Sequence, residues 1–130
     1  MIVLVCGGRD YNDKARIWEV LDGILESSRG GVTIINGAAR GADRWSTIWA
    51  REKGQKCVEF PIAKDPAQAA VIGARFDWVT HGKIAGHLRN QFMLDESHPD
   101  LGVVFPGGNG TQDMLCRLFR AGVETRVVKP

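Results

Sequence analysis

Leu101-Gly102-Val103-Val104-Phe105-Pro106-Gly107-Gly108-Asn109-Gly110-Thr111 decides the fold. Its first five residues form an apolar run without alternation, the signature of a strand covered on both faces inside a parallel sheet. A glycine-rich turn follows, and beyond it Met114, Leu115, Leu118 and Phe119 recur at helical spacing, placing one apolar face on a helix. Strand, glycine turn and helix in that order make one half of a crossover unit.

The same order occurs twice nearer the N-terminus. Ile2-Val3-Leu4-Val5-Cys6 ends in Gly7-Gly8, a polar turn runs from Arg9 to Asp13, and Ile17, Val20, Leu21, Ile24 and Leu25 give a helix closed by Gly30-Gly31. Val32-Thr33-Ile34-Ile35 leads into Asn36-Gly37-Ala38-Ala39-Arg40-Gly41, after which Trp45, Ile48 and Trp49 mark a helix ending near Gly54. Lys56 to Phe60 is a third strand, closed by Pro61, which cannot donate to a sheet ladder. From Ala63 to Thr80 the pattern is least regular, although Asp65-Pro66 predicts an N-cap and the first position of a short helix. Ile84, Leu88, Phe92 and Met93 define another helix face, which Pro99 stops, and Thr125 to Val128 is a last strand. Strands alternating with helices imply right-handed crossovers. The expectation is an α/β fold: a single Rossmann-like domain over residues 1–130, with an open, mainly parallel sheet of about five strands and helices on both faces.

Composition agrees with one globular core. The chain has 130 residues, 44% apolar and 25% charged, which is too apolar for disorder. It contains no apolar run long enough for a membrane span. The N-terminus lacks the charged, apolar and small-residue regions of a signal peptide, so the expected location is cytoplasmic, with no membrane partner. Cys6, Cys57 and Cys116 have no C-x-x-C spacing, so they are expected to be buried thiols, with neither disulfide nor metal. A net charge of +2 is short of a dedicated nucleic-acid domain, so an anion site has to be local.

Where it lies follows from the topology. In such sheets ligands bind beyond the carboxyl ends of the strands, and three glycine turns are delivered there. These are Gly7-Gly8-Arg9, Gly37-Ala38-Ala39-Arg40-Gly41 and Gly107-Gly108-Asn109-Gly110-Thr111. Glycines let backbone N–H groups at a helix start close on a phosphate, which the helix dipole also favours. The alternative for the third is a tight turn with Thr111 as helix cap. Arg9, Arg40 and Arg89 bring guanidinium groups suited to phosphate, and Asn90 an amide suited to ribose or base. Arg40 has an equally good partner in Asp43. His87 lies close to Arg89-Asn90. Tyr11 and Trp78, in polar loops, are better stacking candidates than Trp18, Trp45 and Trp49, which fit helix faces. Neither G-x-G-x-x-G nor G-x-x-x-x-G-K-[ST] is present, so no NAD or P-loop triphosphate site, and no cofactor, is expected.

These segments resemble the SLOG superfamily of Rossmann-like nucleotide-binding proteins, and within it the YspA, cpYpsA-related branch. The carrying residues are Gly7-Gly8-Arg9-Asp10, Gly37 through Asp43, Gly82 to Gly86 leading into Arg89-Asn90-Gln91-Phe92-Met93, and Pro106 through Thr111. LONELY GUY enzymes of this superfamily cleave the N-glycosidic bond of cytokinin riboside monophosphates with a motif similar to P-G-G-x-G-T-x-x-E and an arginine. At the glutamate position this chain has Met114, with Asp113 one residue earlier and about 100° around a helix. The DNA-processing protein A family, which binds single-stranded DNA, has a turn similar to Gly37–Asp43 and an Arg-Asn pair similar to Arg89-Asn90.

The resemblance and the turns together imply a binding module for a nucleotide or ADP-ribose-like small molecule, acting as a sensor or sequestering protein. Its expected ligand-binding residues are Gly7, Gly8, Arg9, Gly37, Arg40, Gly41, Asp43, Arg89, Asn90, Gly107, Gly108, Asn109, Gly110 and Thr111. The alternative is a nucleoside 5′-monophosphate N-glycosidase, with Asp113 as acid/base and Arg89 on the phosphate; Asp43 and Asp10 are the other carboxylates available. Single-stranded nucleic-acid binding ranks third, because no basic, aromatic-interleaved stripe is present. Pairing through a helix face would give a homodimer, which no residue pattern demands.

Overall fold

A computed structural model describes residues 1–130. Five strands form the main sheet: β1 (Ile2–Cys6), β2 (Thr33–Asn36), β3 (Lys56–Glu59), β6 (Leu101–Val104) and β7 (Thr125–Val127). Their order is β3-β2-β1-β6-β7, and every neighbouring pair is parallel. The chain builds outward from β1 to β3, then returns to build β6 and β7 on the other side. Strand order therefore reverses between β1 and β6, where the turns after both strands splay apart and leave a crevice.

Alternation along the central strands feeds two cores. Val3 and Val5 of β1 face α1 (Lys14–Ser27) and α2 (Ala42–Glu52), where Ile17, Leu21, Ile24 and Trp49 are buried with Ile34, Val103 and Phe105. Leu4 and Cys6 point the other way, toward α5 (Ala85–Ser97) and α6 (Asn109–Arg120), and pack with Ile35, Met93, Leu94, Met114 and Leu118. Trp49 reaches its burial with its polar end satisfied, since the indole Nε1 donates to Asp22 at 2.9 Å and ties α2 to α1.

Between β3 and α5 the chain builds a second, smaller layer. β4 (Ile62–Ala63) and β5 (Phe76–Asp77) pair in parallel, apart from the main sheet, and enclose α3 (Pro66–Ile72). As expected, Asp65 caps α3, its side chain accepting from Gln68 N at 2.8 Å with Pro66 at the first helical position. Asp77 caps α4 (Trp78–His81), and a 3-10 turn, Gly82–Ile84, leads into α5. The two-residue strands are too short to show a period in the sequence.

Some side chains depart from the periodic reading. Phe119 and Leu88 are exposed, because the faces of α6 and α5 opposite the sheet have no further layer to meet, and Ile84 is exposed in the 3-10 turn before α5. Tyr11 is held by the core, its ring centroid 5.4 Å from that of Phe105, and is not free for stacking. Of the three thiols only Cys6 is buried; Cys57 is half-buried on edge strand β3 and Cys116 is exposed on α6.

Candidate functional site

The three glycine turns are stitched together by main chain. Gly8 N donates to Pro106 O at 2.8 Å and Ala42 N to Gly8 O at 3.3 Å, so the turns after β1, β2 and β6 form one surface. Two glycines make this approach feasible. Gly41 has φ +79°, and a Cβ there would overlap the Gly8 carbonyl; a Cβ on Gly107 would overlap the Thr111 hydroxyl and come within 2.6 Å of Gly8 N. Gly41 and Gly107 thus shape the edge from behind it.

The crevice opened by the strand reversal is a cleft of about 640 Å³, within the size range of small-molecule sites. Gly7, Gly8, Arg9, Gly37, Asp43, Arg89, Asn90, Gly108, Asn109, Gly110 and Thr111 all line it. Arg40 lines instead a smaller adjoining lobe of about 250 Å³, shared with Arg9, Gly37, Ala39, Trp78 and Arg89. The sequence reading did not single out Lys83 and Gly86 as site residues, yet both line the cleft, as does Met93. Lys83 carries a legible signal, a lysine just before a helix that enters the same edge.

The side chains divide by what already occupies them. The turn after β2 has its amides engaged: Gly37 N and Ala39 N donate to Asp43 Oδ2 at 3.1 and 3.2 Å, and Ala38 N to Asn36 Oδ1 at 2.9 Å. Asp43 therefore pairs with its own turn and not with Arg40, which makes an exposed 3.4 Å ion pair with Asp10. Asp43 is only 6% exposed, and burial raises its carboxyl pKa to about 6 despite Arg89 and the two amides, which favour the anion. Buried Asn36 fixes the start of α2, donating to Asp43 O, Ser46 Oγ and Thr47 Oγ1 at 2.9–3.0 Å.

Arg89 spans the second turn from the opposite side. Its Nη1 donates to Gly37 O and to Phe60 O at 2.6 and 3.1 Å, and its Nε to Asn90 Oδ1 at 3.2 Å. Burial depresses its pKa, with Asp43 opposing that shift. Asn90 turns the other way, its Nδ2 donating to Gly110 O at 3.2 Å and Asp113 Oδ2 at 3.0 Å, which links α5 to the first turn of α6.

Asp113 does not line the cleft. Partial burial works against its charge, but hydrogen bonds from Arg117 Nε at 2.8 Å and from Asn90, with the Arg117 charge, hold its pKa below the usual value. His87 lines the cleft with Nδ1 3.9 Å from Asp113 Oδ1. Met114, at the motif's glutamate position, is fully buried in the core.

Thr111 is not the cap of α6; that position is Gly108, and no side chain caps it. Thr111 lies within the first turn, 6% exposed on the cleft wall, and its hydroxyl takes part in none of the protein's side-chain hydrogen bonds. The first turn of α6 thus meets the cleft with its backbone donors and one hydroxyl unengaged by side chains. Arg9, Lys83 and Arg89 outnumber the one carboxylate, Asp43, among the cleft's charged residues.

A parallel five-stranded sheet reversed at β1/β6, with a cleft over the reversal, defines a Rossmann-like α/β protein. The chain belongs to the YspA, cpYpsA-related SLOG family. A model of that family matches residues 1–63. Gene 61 protein of Mycobacterium phage D29 is 32% identical over 123 residues, covering 93% of this chain and 90% of that protein. Among solved structures, DNA processing protein A from Streptococcus pneumoniae superposes over 98% of this chain with a TM-score of 0.71 at 16% identity. The chain spans 50% of that structure's length, and the likeness is one of fold. No helix is long and apolar enough to cross a membrane.

Proposed function

We propose that the cleft binds a nucleotide-type small molecule, its phosphate at the N-terminus of α6, and that the protein acts as a sensor or sequestering module. The observation that carries this reading is the first turn of α6, Gly108 to Thr111, lining the same cleft as Arg9, Lys83 and Arg89. Backbone donors, the positive end of a helix and an excess of cations line one cleft, the arrangement an anion is bound by. Arg89, held by backbone carbonyls, supplies a fixed charge, while exposed Arg40 can reach from the adjoining lobe. The test is mass spectrometry of small molecules released on denaturing the purified protein, with calorimetric titration of nucleotides and a labelled single-stranded oligonucleotide. An intact nucleotide bound at micromolar affinity supports the reading. Failure of every nucleotide to bind removes it, and oligonucleotide binding that weakens steeply with salt would replace it with the nucleic-acid role.

A second reading, hydrolysis of the N-glycosidic bond of the bound nucleotide, is favoured by Asp43, the one carboxylate lining the cleft. Water would add to the ribose C1′ as the base leaves, the carboxylate taking the water's proton and the base gaining one. Asp113, bound by Arg117 and Asn90 outside the cleft, is the weaker acid/base candidate. Free base and ribose phosphate accumulating with wild-type protein but not with Asp43→Asn supports this reading; loss only in Asp113→Asn would return the role to Asp113. No base release from any nucleotide leaves binding alone.

A further inference from the structure

The cleft has a second compartment that an anion does not explain. The smaller lobe adjoins it across Arg9, Arg89 and Trp78, and its other walls include Pro61, Ile62, Ala38 and Ala39, with Arg40 at the side. Phosphate chemistry makes no use of a proline, an isoleucine and an indole.

Two features of these walls carry an energetic cost. Trp78 is 39% exposed, set there by the Asp77 cap that starts α4, and the Arg9 guanidinium carbon lies 5.9 Å from its ring centroid. Ala38 has φ +59°, a left-handed conformation that costs a residue with a Cβ about 1 kcal/mol. The Asn36 side chain, accepting from Ala38 N, holds that conformation in a residue that lines the lobe. Such strain collects where a surface has to meet a ligand.

We propose that the small lobe is a subsite for the heterocyclic base of a nucleoside phosphate, packed against Trp78, Pro61 and Ile62, with Arg9 bridging between base and phosphate. This rests on the nucleotide reading of the cleft and adds to it the part of the ligand that gives selectivity. An aromatic base gains stacking and apolar burial in the lobe, whereas a sugar phosphate alone leaves it filled with water.

The experiment compares ribose 5-phosphate, which lacks the base, with AMP, by isothermal titration calorimetry on the full chain. For wild type the expected result is AMP binding at least about tenfold more tightly than ribose 5-phosphate, the scale of one stacked base. Trp78→Ala should lower AMP affinity at least fivefold more than ribose 5-phosphate affinity, and Trp78→Phe should restore most of the difference. Matched circular dichroism and melting temperatures of the variants show that the fold is intact. Equal affinity of wild type for both probes, or an equal loss on both in Trp78→Ala, overturns the base subsite while leaving the anion cleft standing. Failure of both probes and of inorganic pyrophosphate to bind overturns the cleft reading itself, and the subsite with it.

Discussion

Asp43 keeps a carboxyl group where burial opposes its charge. Its pKa in the folded protein is about 6, above the ordinary 3.8. The folded state therefore holds this proton more tightly than the unfolded chain does. Stability from this group is complete below about pH 4 and is lost as pH rises through 6, by about 3 kcal/mol at most. Asp43→Asn keeps an acceptor for Gly37 N and Ala39 N without the ionisation. Urea unfolding of both proteins between about pH 4 and pH 7 should show the variant gaining relative to wild type as pH rises; a constant difference would show Asp43 unperturbed. At Gly41 the expectation is simpler. Gly41→Ala adds both a strained φ and an overlap with the Gly8 carbonyl, and should cost at least about 2 kcal/mol, read from its urea midpoint. The glycines were legible in the sequence as a cluster, but not which of them face a ligand. A turn that binds an anion and a turn that packs on another turn ask for the same residue, and only the tertiary contacts of Gly41 and Gly107 separate the two.

Among the elements, α5 and α6 are coupled most closely to the cleft. Asn90 joins them near the first turn of α6, and Arg117 joins them again, its Nη1 donating to Gln91 Oε1 at 2.9 Å while its Nε holds Asp113 on the same helix. Asn90→Ala breaks the upper tie, removing the side-chain donor to Gly110 O and leaving Asp113 with Arg117 as its one side-chain donor. It should destabilise the protein by about 1–3 kcal/mol and weaken anion binding together, because the first turn of α6 loses its support. If binding falls with no change in stability, Asn90 touches the ligand directly. Met114→Glu would restore the carboxylate of the related hydrolase motif, but this side chain is packed with Leu4, Cys6 and Met93. It should lower the melting temperature sharply rather than confer hydrolysis, since an ionised group in that core has no partner. The helices themselves were plain from spacing, and so was the motif's departure at Met114. The ties between them were not, because Asn90, Asp113 and Arg117 come together only when α5 and α6 pack side by side.

For the whole molecule, the parallel sheet followed from three repetitions of strand, glycine turn and helix, each signalled by an unbroken apolar run. The β4–β5 layer escaped notice because strands of two residues carry no period, and α3 and α4 bury no residue fully. Low burial also predicts low local stability. Hydrogen exchange should find the amides of α3 and α4 among the first to open and those of β1 and β6 among the last, and a nucleotide that occupies the small lobe should slow exchange at Trp78 to His81. Unchanged exchange there under saturating nucleotide would mean that this layer takes no part in binding.

The interlocked turns have a consequence for how such a protein could change. Gly8, Gly41 and Gly107 sit so close that an insertion or a larger residue in any one turn displaces the other two, and the edge they form is bound to vary little. The span from Pro61 to Lys83 is under no such constraint, yet it supplies Pro61, Ile62 and Trp78 to the small lobe and Lys83 to the main cleft. If the small lobe takes the base as proposed, exchanging that one span between relatives should transplant a preference for one base over another while the interlocked edge stays unaltered, much as an interchangeable bit fits a fixed handle.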